Sequence, residues 1–140
     1  MYGRIIAQHS GKCLNVKGAS TDDGAEVIQW PCTDGAQNEQ WQLEHVGGGY
    51  FRIRAQHSGK CLNVKGASTD DGAEVIQWPC TDGAQNEQWR LEHLGNDVYR
   101  IRARHSGKCL NVKGASTDDG AKIIQWFCTD GAQNEQWKFS

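Results

Sequence analysis

The stretch HSGKCLNVKGASTDDGAEVIQWPCTDGAQNEQW, residues 9–41, decides the fold because the chain contains it three times. It returns unchanged at residues 57–89, and again at residues 105–137 with three substitutions. The substituted residues are Lys122, Ile123 and Phe127, which replace Glu, Val and Pro. The repeat period of 48 residues is typical of solenoids, propellers and pseudo-symmetric arrays. None of the units is modified as a cap, so we expect a closed threefold arrangement rather than an open solenoid.

Each unit contains four short segments with strand character, in which apolar and polar residues alternate. Asp-Gly pairs between the segments favour tight turns. In the second unit the predicted strands lie at residues 50–56, 60–66, 73–78 and 86–93. The chain begins with a segment similar to the first strand and ends on a fourth strand, so the last repeat is expected to close against the first. Closure removes exposed strand edges.

The sequence therefore predicts an all-β protein, a β-trefoil with three pseudo-threefold repeats of four strands each. We expect residues 1–140 to form one domain, with repeats at approximately 1–47, 48–95 and 96–140. Identical units arise either by recent duplication or by deliberate construction of a symmetric chain.

The charge and hydropathy of the chain argue against nucleic acids and membranes as partners. The net charge is −2 and the sequence pI is about 6.2, and no basic run provides the electrostatic surface of a nucleic-acid-binding protein. No segment approaches the roughly 18 apolar residues that a membrane helix needs. We therefore expect neither nucleic-acid binding nor membrane insertion. Residues 1–6 lack the pattern of a signal peptide, which leaves open whether a signal was removed or never existed.

Two cysteines occur in each repeat. They are Cys13 and Cys32, Cys61 and Cys80, and Cys109 and Cys128. Threefold repetition leaves two symmetric disulfide patterns, one within each repeat and one between neighbouring repeats. Disulfides would indicate an oxidising compartment and thus a secreted or extracellular protein. Structural zinc is the competing explanation because His9 lies four residues before Cys13, but this spacing matches no standard zinc finger.

Strand alternation indicates a pocket in each repeat. Leu14 and Val16 are expected to face the core, which places Asn15 on the outer face. Trp30 precedes Cys32 by two residues and is expected on the same outer side. An indole beside a polar amide suits a sugar, whose apolar face stacks on the ring while its hydroxyls bind the amide. Trp41 is instead expected in the core.

One local conflict concerns Gln29. If Trp30 points outward, strict alternation turns Gln29 toward the core. A β-bulge near Trp30 would resolve this conflict. Otherwise, an inward Ile28 would carry Trp30 inward as well and weaken the pocket hypothesis.

Other residues are of types that serve as metal ligands or catalytic groups, but none forms a complete site in the sequence. Asp22 and Asp23 are acidic enough for calcium, but two acids in a hairpin loop are usually solvated. Cys13 lacks a separate base or oxyanion device, so a catalytic nucleophile is not indicated. His45 and His93 are expected to be exposed or in turns. We therefore expect no catalytic residues, no metal site and no cofactor.

Three motifs, repeated in the same order, carry a family resemblance. They are G-K-C-L-[DN]-V, W-P-C (W-F-C in the third repeat) and N-x-x-W. With this set, the whole chain resembles the ricin-type β-trefoil lectins, which are related to the family-thirteen carbohydrate-binding modules of bacterial glycosidases. The resemblance implies disulfides within each repeat.

The resemblance also implies one sugar pocket per repeat, made by a residue in the C-L-[DN]-V strand, an aromatic residue before the second cysteine, and two residues ahead of the core tryptophan. The implied sugar-binding residues are Asn15, Trp30, Asn38, Glu39, Asn63, Trp78, Asn86, Glu87, Asn111, Trp126, Asn134 and Glu135. Two positions of each repeat depart from the family pattern, since Asn15 and its equivalents replace Asp, and Glu39 and its equivalents replace Gln. A further family glutamine falls on Ile28, so the family preference for galactose does not transfer directly.

These observations predict a trivalent lectin, with no enzymatic activity, that binds galactose-like or related sugars and cross-links glycans. The partners would be mono- or oligosaccharides, cell-surface glycans or polysaccharides, and a monomer is consistent with the sequence. Two alternatives remain, a substrate-targeting module of a glycosidase and a non-sugar β-trefoil inhibitor or interaction protein. The substitutions in the third repeat predict an altered third site.

Overall fold

The computed structural model describes residues 1–140 and consists of twelve short strands. Their bounds are β1 Ile5–Ala7, β2 Cys13–Val16, β3 Val27–Trp30, β4 Trp41–Gly47, β5 Tyr50–Ala55, β6 Cys61–Val64, β7 Val75–Trp78, β8 Trp89–Gly95, β9 Val98–Ala103, β10 Cys109–Val112, β11 Ile123–Trp126 and β12 Trp137–Phe139. Six 3₁₀ turns lie at Lys17–Ala19, Gln37–Glu39, Lys65–Ala67, Gln85–Glu87, Lys113–Ala115 and Gln133–Glu135.

Six of the strands form a closed ring. In this ring β1 pairs with β12, β12 with β9, β9 with β8, β8 with β5, and β5 with β4, all antiparallel. A bridge between Gly3 and Trp41 returns the ring to the beginning of the chain. The other six strands form the hairpins β2–β3, β6–β7 and β10–β11. This arrangement of three four-stranded repeats confirms the predicted β-trefoil.

The core contains the inward faces of all three repeats. One cluster of 18 buried residues includes Leu14, Val16 and Trp41, as expected from strand alternation. The indole Nε1 of Trp41 donates a hydrogen bond of 3.0 Å to the carbonyl of Leu14. The buried polar atom of this ring is therefore satisfied, and the prediction that Trp41 is a core residue is confirmed.

The three disulfides lie within the repeats. They join Cys13 to Cys32, Cys61 to Cys80 and Cys109 to Cys128. The pairing that the family resemblance implied is therefore present, and no cysteine is free to bind zinc. The bond between Cys13 and Cys32 ties β2 to the residues that follow β3, which fixes the position of Trp30 at the end of that strand.

The expectation of a bulge near Trp30 is wrong. Strand β2 pairs with β3 in unbroken register, with Cys13 opposite Trp30 and Leu14 opposite Gln29. Gln29 therefore does face the Leu14 side, and it is completely buried. Its amide Nε2 donates to the carbonyls of Ser116 and Asp118 at 2.8 and 2.9 Å, and its Oε1 accepts a hydrogen bond from a serine hydroxyl. Because every polar atom of this amide is satisfied, its burial needs no bulge.

The buried glutamines connect the repeats in a cycle. Gln29 binds the loop of the third repeat, Gln77 binds the carbonyls of Ser20 and Asp22 in the first, and Gln125 binds those of the second. Backbone hydrogen bonds join the same pairs of repeats. The N–H of Gln77 donates to the carbonyl of Ala25 at 3.0 Å, and the N–H of Gly24 donates in return to the carbonyl of Gln77 at 2.9 Å. Each repeat therefore holds a loop of another.

Lys122 lies where the three hairpins meet. Its Nζ is 3.9 Å from a carboxylate oxygen of Glu26 and 3.5 Å from one of Glu74, the residues at the equivalent positions of the other repeats. A third glutamate here would bring three like charges together. The substitution in the third repeat replaces that repulsion with two ion pairs.

No helix of the structure has the length and apolar character that crossing a membrane would require.

Candidate functional site

Each repeat carries one pocket at its hairpin, which is β2–β3, β6–β7 or β10–β11. The pocket lies between the first strand of the hairpin, the end of the second strand and the second 3₁₀ turn of the repeat. We number the pockets by repeat. Pocket one has a volume of about 520 Å³ and is lined by residues that include Asn15, Trp30 and Asn38. Pockets two and three measure about 530 and 470 Å³. These volumes lie within the range of small-molecule sites.

Trp30 supplies the apolar surface of pocket one. It is the last residue of β3 and leaves 43% of its surface exposed, whereas Trp41 of the same repeat is buried. Its neighbour Ile28 is 4% exposed and lies on the same face of the hairpin, opposite Asn15. The pocket therefore joins an open indole to an apolar base, which together suit the C–H face of a sugar ring.

A buried Asn–Glu pair lies behind the indole. Asn15 is 5% exposed and Glu39 has no accessible surface. The Asn15 Nδ2 donates to Glu39 Oε2 at 2.8 Å, and the backbone N–H of Thr33 donates to Glu39 Oε1 at 2.8 Å. A carboxylate only accepts hydrogen bonds, so it fixes the orientation of the Asn15 amide.

This orientation directs the carbonyl oxygen of Asn15 toward the pocket. Asn15 Oδ1 accepts no hydrogen bond from the protein. Because this oxygen is not fully buried, it remains accessible to a ligand. Asn38 is arranged similarly, because its Nδ2 donates to the carbonyl of Val16 at 3.0 Å and leaves its Oδ1 without a protein donor. The site offers two amide oxygens, both suited to accept hydroxyl protons. Glu39 lies behind them and positions Asn15.

The other two repeats reproduce this arrangement. Asn63 Nδ2 and Asn111 Nδ2 each donate to the equivalent glutamate, Glu87 or Glu135, at 2.9 Å. Asn86 and Asn134 donate to the carbonyls of Val64 and Val112 at 3.0 and 3.1 Å. Trp78 and Trp126 are 42% and 37% exposed. The structure therefore brings all twelve predicted pocket residues together in three equivalent groups of four.

Two parts of the pocket wall were not predicted from the sequence. The first is the turn Lys17–Ala19, which faces the indole and contains two left-handed residues, Gly18 at φ 64° and Ala19 at φ 53°. Its repetition directly after each C-L-N-V strand was the available signal. The second is Gly120, which comes from the third repeat. Because each pocket includes a glycine of another repeat, no repeat forms its site alone.

Pocket three differs at its rim. Phe127 replaces the proline of the other repeats and is 51% exposed. Its ring centroid lies 5.5 Å from that of Trp126, with 33° between the ring planes. The Phe127 N–H donates to Asp71 Oδ1 of the second repeat at 3.2 Å.

Two ionic clusters lie away from the pockets. Hydrogen bonds from Arg54 and Arg52 hold the pKa of the Glu44 carboxyl below its usual value. In the next repeat, the hydrogen bond from Arg100 is the main cause that lowers the pKa of Glu92. These clusters brace the β4–β5 and β8–β9 hairpins.

The remaining candidate residues lie outside the pockets. His45 and His93 are exposed on β4 and β8. Asp23 lies on an exposed loop, and its Oδ1 is 3.5 Å from Lys60 Nζ. No group of three or more His, Cys, Asp or Glu side chains is positioned to hold a metal ion.

Comparison with known proteins agrees with this geometry. Residues 1–78, 37–126 and 85–140 match the family described as ricin-type beta-trefoil lectin domain-like. The chain belongs to this family. The solved structure of ThreeFoil, a designed 3-fold symmetric protein, is 51% identical with a TM-score of 0.94, and the match covers 99% of this chain and 96% of that one.

Two further similar structures are of proteins whose descriptions involve carbohydrates. One is 1,3Gal43A, an exo-beta-1,3-galactanase from Clostridium thermocellum, 38% identical with a TM-score of 0.93; the match covers 99% of this chain but only 29% of the galactanase. The other is the Macrolepiota procera ricin B-like lectin in complex with lactose, 18% identical with a TM-score of 0.83. That match covers 100% of this chain and 94% of the lectin, and at this identity it shows the common fold alone.

Proposed function

We propose that the protein is a trivalent lectin that binds galactose-like or related sugars through one pocket per repeat. The observation that carries the proposal is the threefold occurrence of an exposed indole beside an amide oxygen held in place by a buried glutamate. In pocket one these are Trp30, Asn15 and Glu39. A sugar would stack its apolar face on the indole and donate hydroxyl protons to the amide oxygens of Asn15 and Asn38.

The presence of three sites compensates for the low affinity of each single site. A shallow sugar pocket typically reaches only millimolar affinity, about −4 kcal/mol. Simultaneous engagement of several sites on a glycan-covered surface raises the avidity by roughly 10²–10⁴. We therefore propose that the protein cross-links cell-surface glycans or polysaccharides without catalysing a reaction and without a cofactor.

We further propose that residues 1–140 act as one domain. The core cluster draws residues from all three repeats, and the cycle of buried glutamines joins them. Three disulfides suit an oxidising, extracellular location. The net charge of −2 does not favour nucleic acid as a partner.

The experiment is a glycan array probed with the wild-type protein and with the triple variant Trp30→Ala, Trp78→Ala, Trp126→Ala. We expect the wild type to bind terminal galactosides or related sugars and the triple variant to lose at least 90% of the signal. Tyr2→Ala is the matched control, because Tyr2 is an exposed aromatic residue outside the three pockets. A wild type that binds no glycan, or a triple variant that binds as well as Tyr2→Ala, would refute the proposal.

A substrate-targeting role is the second candidate function, favoured by the 38% identity to part of a galactanase. Such a module retains an enzyme on its polysaccharide, whereas a lectin agglutinates cells. Sedimentation with insoluble β-1,3-galactan, run beside an erythrocyte agglutination assay, separates the two. Binding to galactan without agglutination would support the targeting role over the lectin.

A further inference from the structure

The aromatic surface of pocket three extends beyond the pocket itself. Trp126 lines the pocket, whereas Phe127 lies next to it outside the pocket wall, with 51% of its surface exposed. The two ring centroids are 5.5 Å apart and their planes differ by 33°. Pro31 and Pro79 occupy the equivalent positions, so pockets one and two have no second aromatic ring.

The position of Phe127 is fixed at its backbone. Its N–H donates to Asp71 Oδ1 at 3.2 Å, and the same oxygen lies 3.8 Å from Lys108 Nζ. Proline has no N–H, so the other two repeats cannot form the equivalent hydrogen bond. The residue that carries the added ring is thereby held against a neighbouring repeat, and less conformational freedom has to be lost when a ligand binds.

We infer that Phe127 is a specificity-determining residue that gives pocket three a second subsite, for the next sugar ring of a disaccharide or longer glycan. This inference rests on the proposed function. The separation of the two aromatic rings is comparable with that of neighbouring pyranose rings in a disaccharide. A terminal sugar stacked on Trp126 would place the following ring over Phe127, where its apolar face gains a contact that pockets one and two do not offer.

The test compares methyl β-galactoside with lactose, one ring against two, in ¹H–¹⁵N NMR titrations. The chain has six tryptophans, and three of them are buried, so the exposed indole N–H signals of Trp30, Trp78 and Trp126 report each pocket separately. Single Trp→Phe variants assign the signals. We expect the ratio of the two dissociation constants to favour lactose at Trp126 by about three- to tenfold more than at Trp30 or Trp78.

Two variants at position 127 distinguish the effect of the Phe127 ring from that of its backbone hydrogen bond to Asp71. Phe127→Leu removes the aromatic face but keeps the N–H to Asp71, and Phe127→Pro removes both. Both should reduce the lactose gain at Trp126 to the value at Trp30, which serves as the internal reference. The reciprocal variant Pro79→Phe should confer a gain at Trp78.

The outcomes distinguish this inference from the proposed function. Equal lactose gains at all three indoles would overturn the inference while leaving the three sugar sites in place. An unchanged gain in Phe127→Leu would also overturn it, as would an equal loss of affinity for both sugars, which would mean that Phe127 only supports Trp126. If neither sugar shifted any of the three indoles, the proposed function would fail and the inference with it.

Discussion

The Asn–Glu pair of pocket two allows a prediction that links stability to binding. Asn63 Nδ2 donates to Glu87 Oε2 at 2.9 Å, and the Thr81 N–H donates to Glu87 Oε1 at 2.8 Å. Asn63 is 5% exposed and Glu87 is fully buried. The Asn63 amide and the Thr81 N–H thus both donate to the Glu87 carboxylate, which only accepts hydrogen bonds. A substitution that changes the number of donors or acceptors here leaves a buried polar group without a partner.

The two single substitutions should have different effects. Asn63→Asp places two carboxylates where the structure has an amide 2.9 Å from a carboxylate, so we expect a loss of about 2–4 kcal/mol in the free energy of unfolding at neutral pH. Glu87→Gln can accept from Thr81 and donate to Asn63 once the Asn63 amide rotates. It should cost only about 1 kcal/mol, but pocket two would then present an NH₂ group instead of an oxygen.

The double variant restores the balance. In Asn63→Asp with Glu87→Gln, the new glutamine donates to the new aspartate and accepts from Thr81, while an aspartate oxygen faces the pocket. We expect its free energy of unfolding to lie within about 1 kcal/mol of that of the wild type, which gives a coupling energy of about 2–5 kcal/mol. This variant also restores the Asp and Gln that the family motif carries at these positions.

Urea unfolding at pH 7 measures the stability of the four proteins, and the indole signal of Trp78 in a lactose titration measures the affinity of pocket two. Affinity at Trp78 should fall about five- to tenfold in Glu87→Gln and return in the double variant. The indole signals of Trp30 and Trp126 report the unmodified pockets one and three in the same sample and serve as internal controls. A neutral Asn63→Asp, or additive single effects, would refute the assignment of Glu87 as the residue that orients Asn63.

Three further predictions concern stability. Gln77→Leu removes two hydrogen bonds to the first repeat and one to Ser58 of its own repeat, and it should lower the free energy of unfolding in urea by about 2–4 kcal/mol. Gln85→Leu at an exposed position should change it by no more than about 0.5 kcal/mol, and equal effects would contradict the role of the glutamine cycle. Because the pKa of Glu92 is lowered in the folded protein, its contribution to stability is present above about pH 4.5 and is lost as the pH falls. The wild type should therefore lose more stability than Glu92→Gln between pH 6 and pH 3, and parallel losses would contradict this. Lys122→Glu brings three carboxylates together and should destabilise by about 1 kcal/mol at low salt, less at 1 M salt; a loss independent of salt would point to packing instead.

The sequence was sufficient for features that depend on local periodicity. Period-two alternation placed Leu14 and Val16 in the core, and the distance between repeated motifs predicted three equivalent units. The outward position of Trp30 also followed from alternation. The core and pocket orientations are set within one repeat, so the pattern of a single unit carries that information, and the number of units follows from counting the copies of the pattern.

Features that depend on contacts between repeats could not be predicted in this way. Gln29 is polar, and nothing in its own repeat shows that carbonyls of the third repeat satisfy its amide; the structure therefore needs no bulge. Gly120 lines a pocket whose other residues lie about a hundred positions earlier in the chain. The hydrogen bond between Phe127 and Asp71 likewise joins two repeats. Such contacts depend on how the repeats are arranged in space, which local alternation does not encode.

The number of sugars bound per chain tests the central claim most directly. Equilibrium dialysis with radiolabelled lactose at saturating concentration should give three lactose molecules per wild-type chain. The count should fall to two in Trp78→Ala, to one when Trp30→Ala is added, and to none when Trp126→Ala completes the series. A wild-type chain that saturates with one lactose, or a capacity that the tryptophan substitutions leave unchanged, would contradict the account.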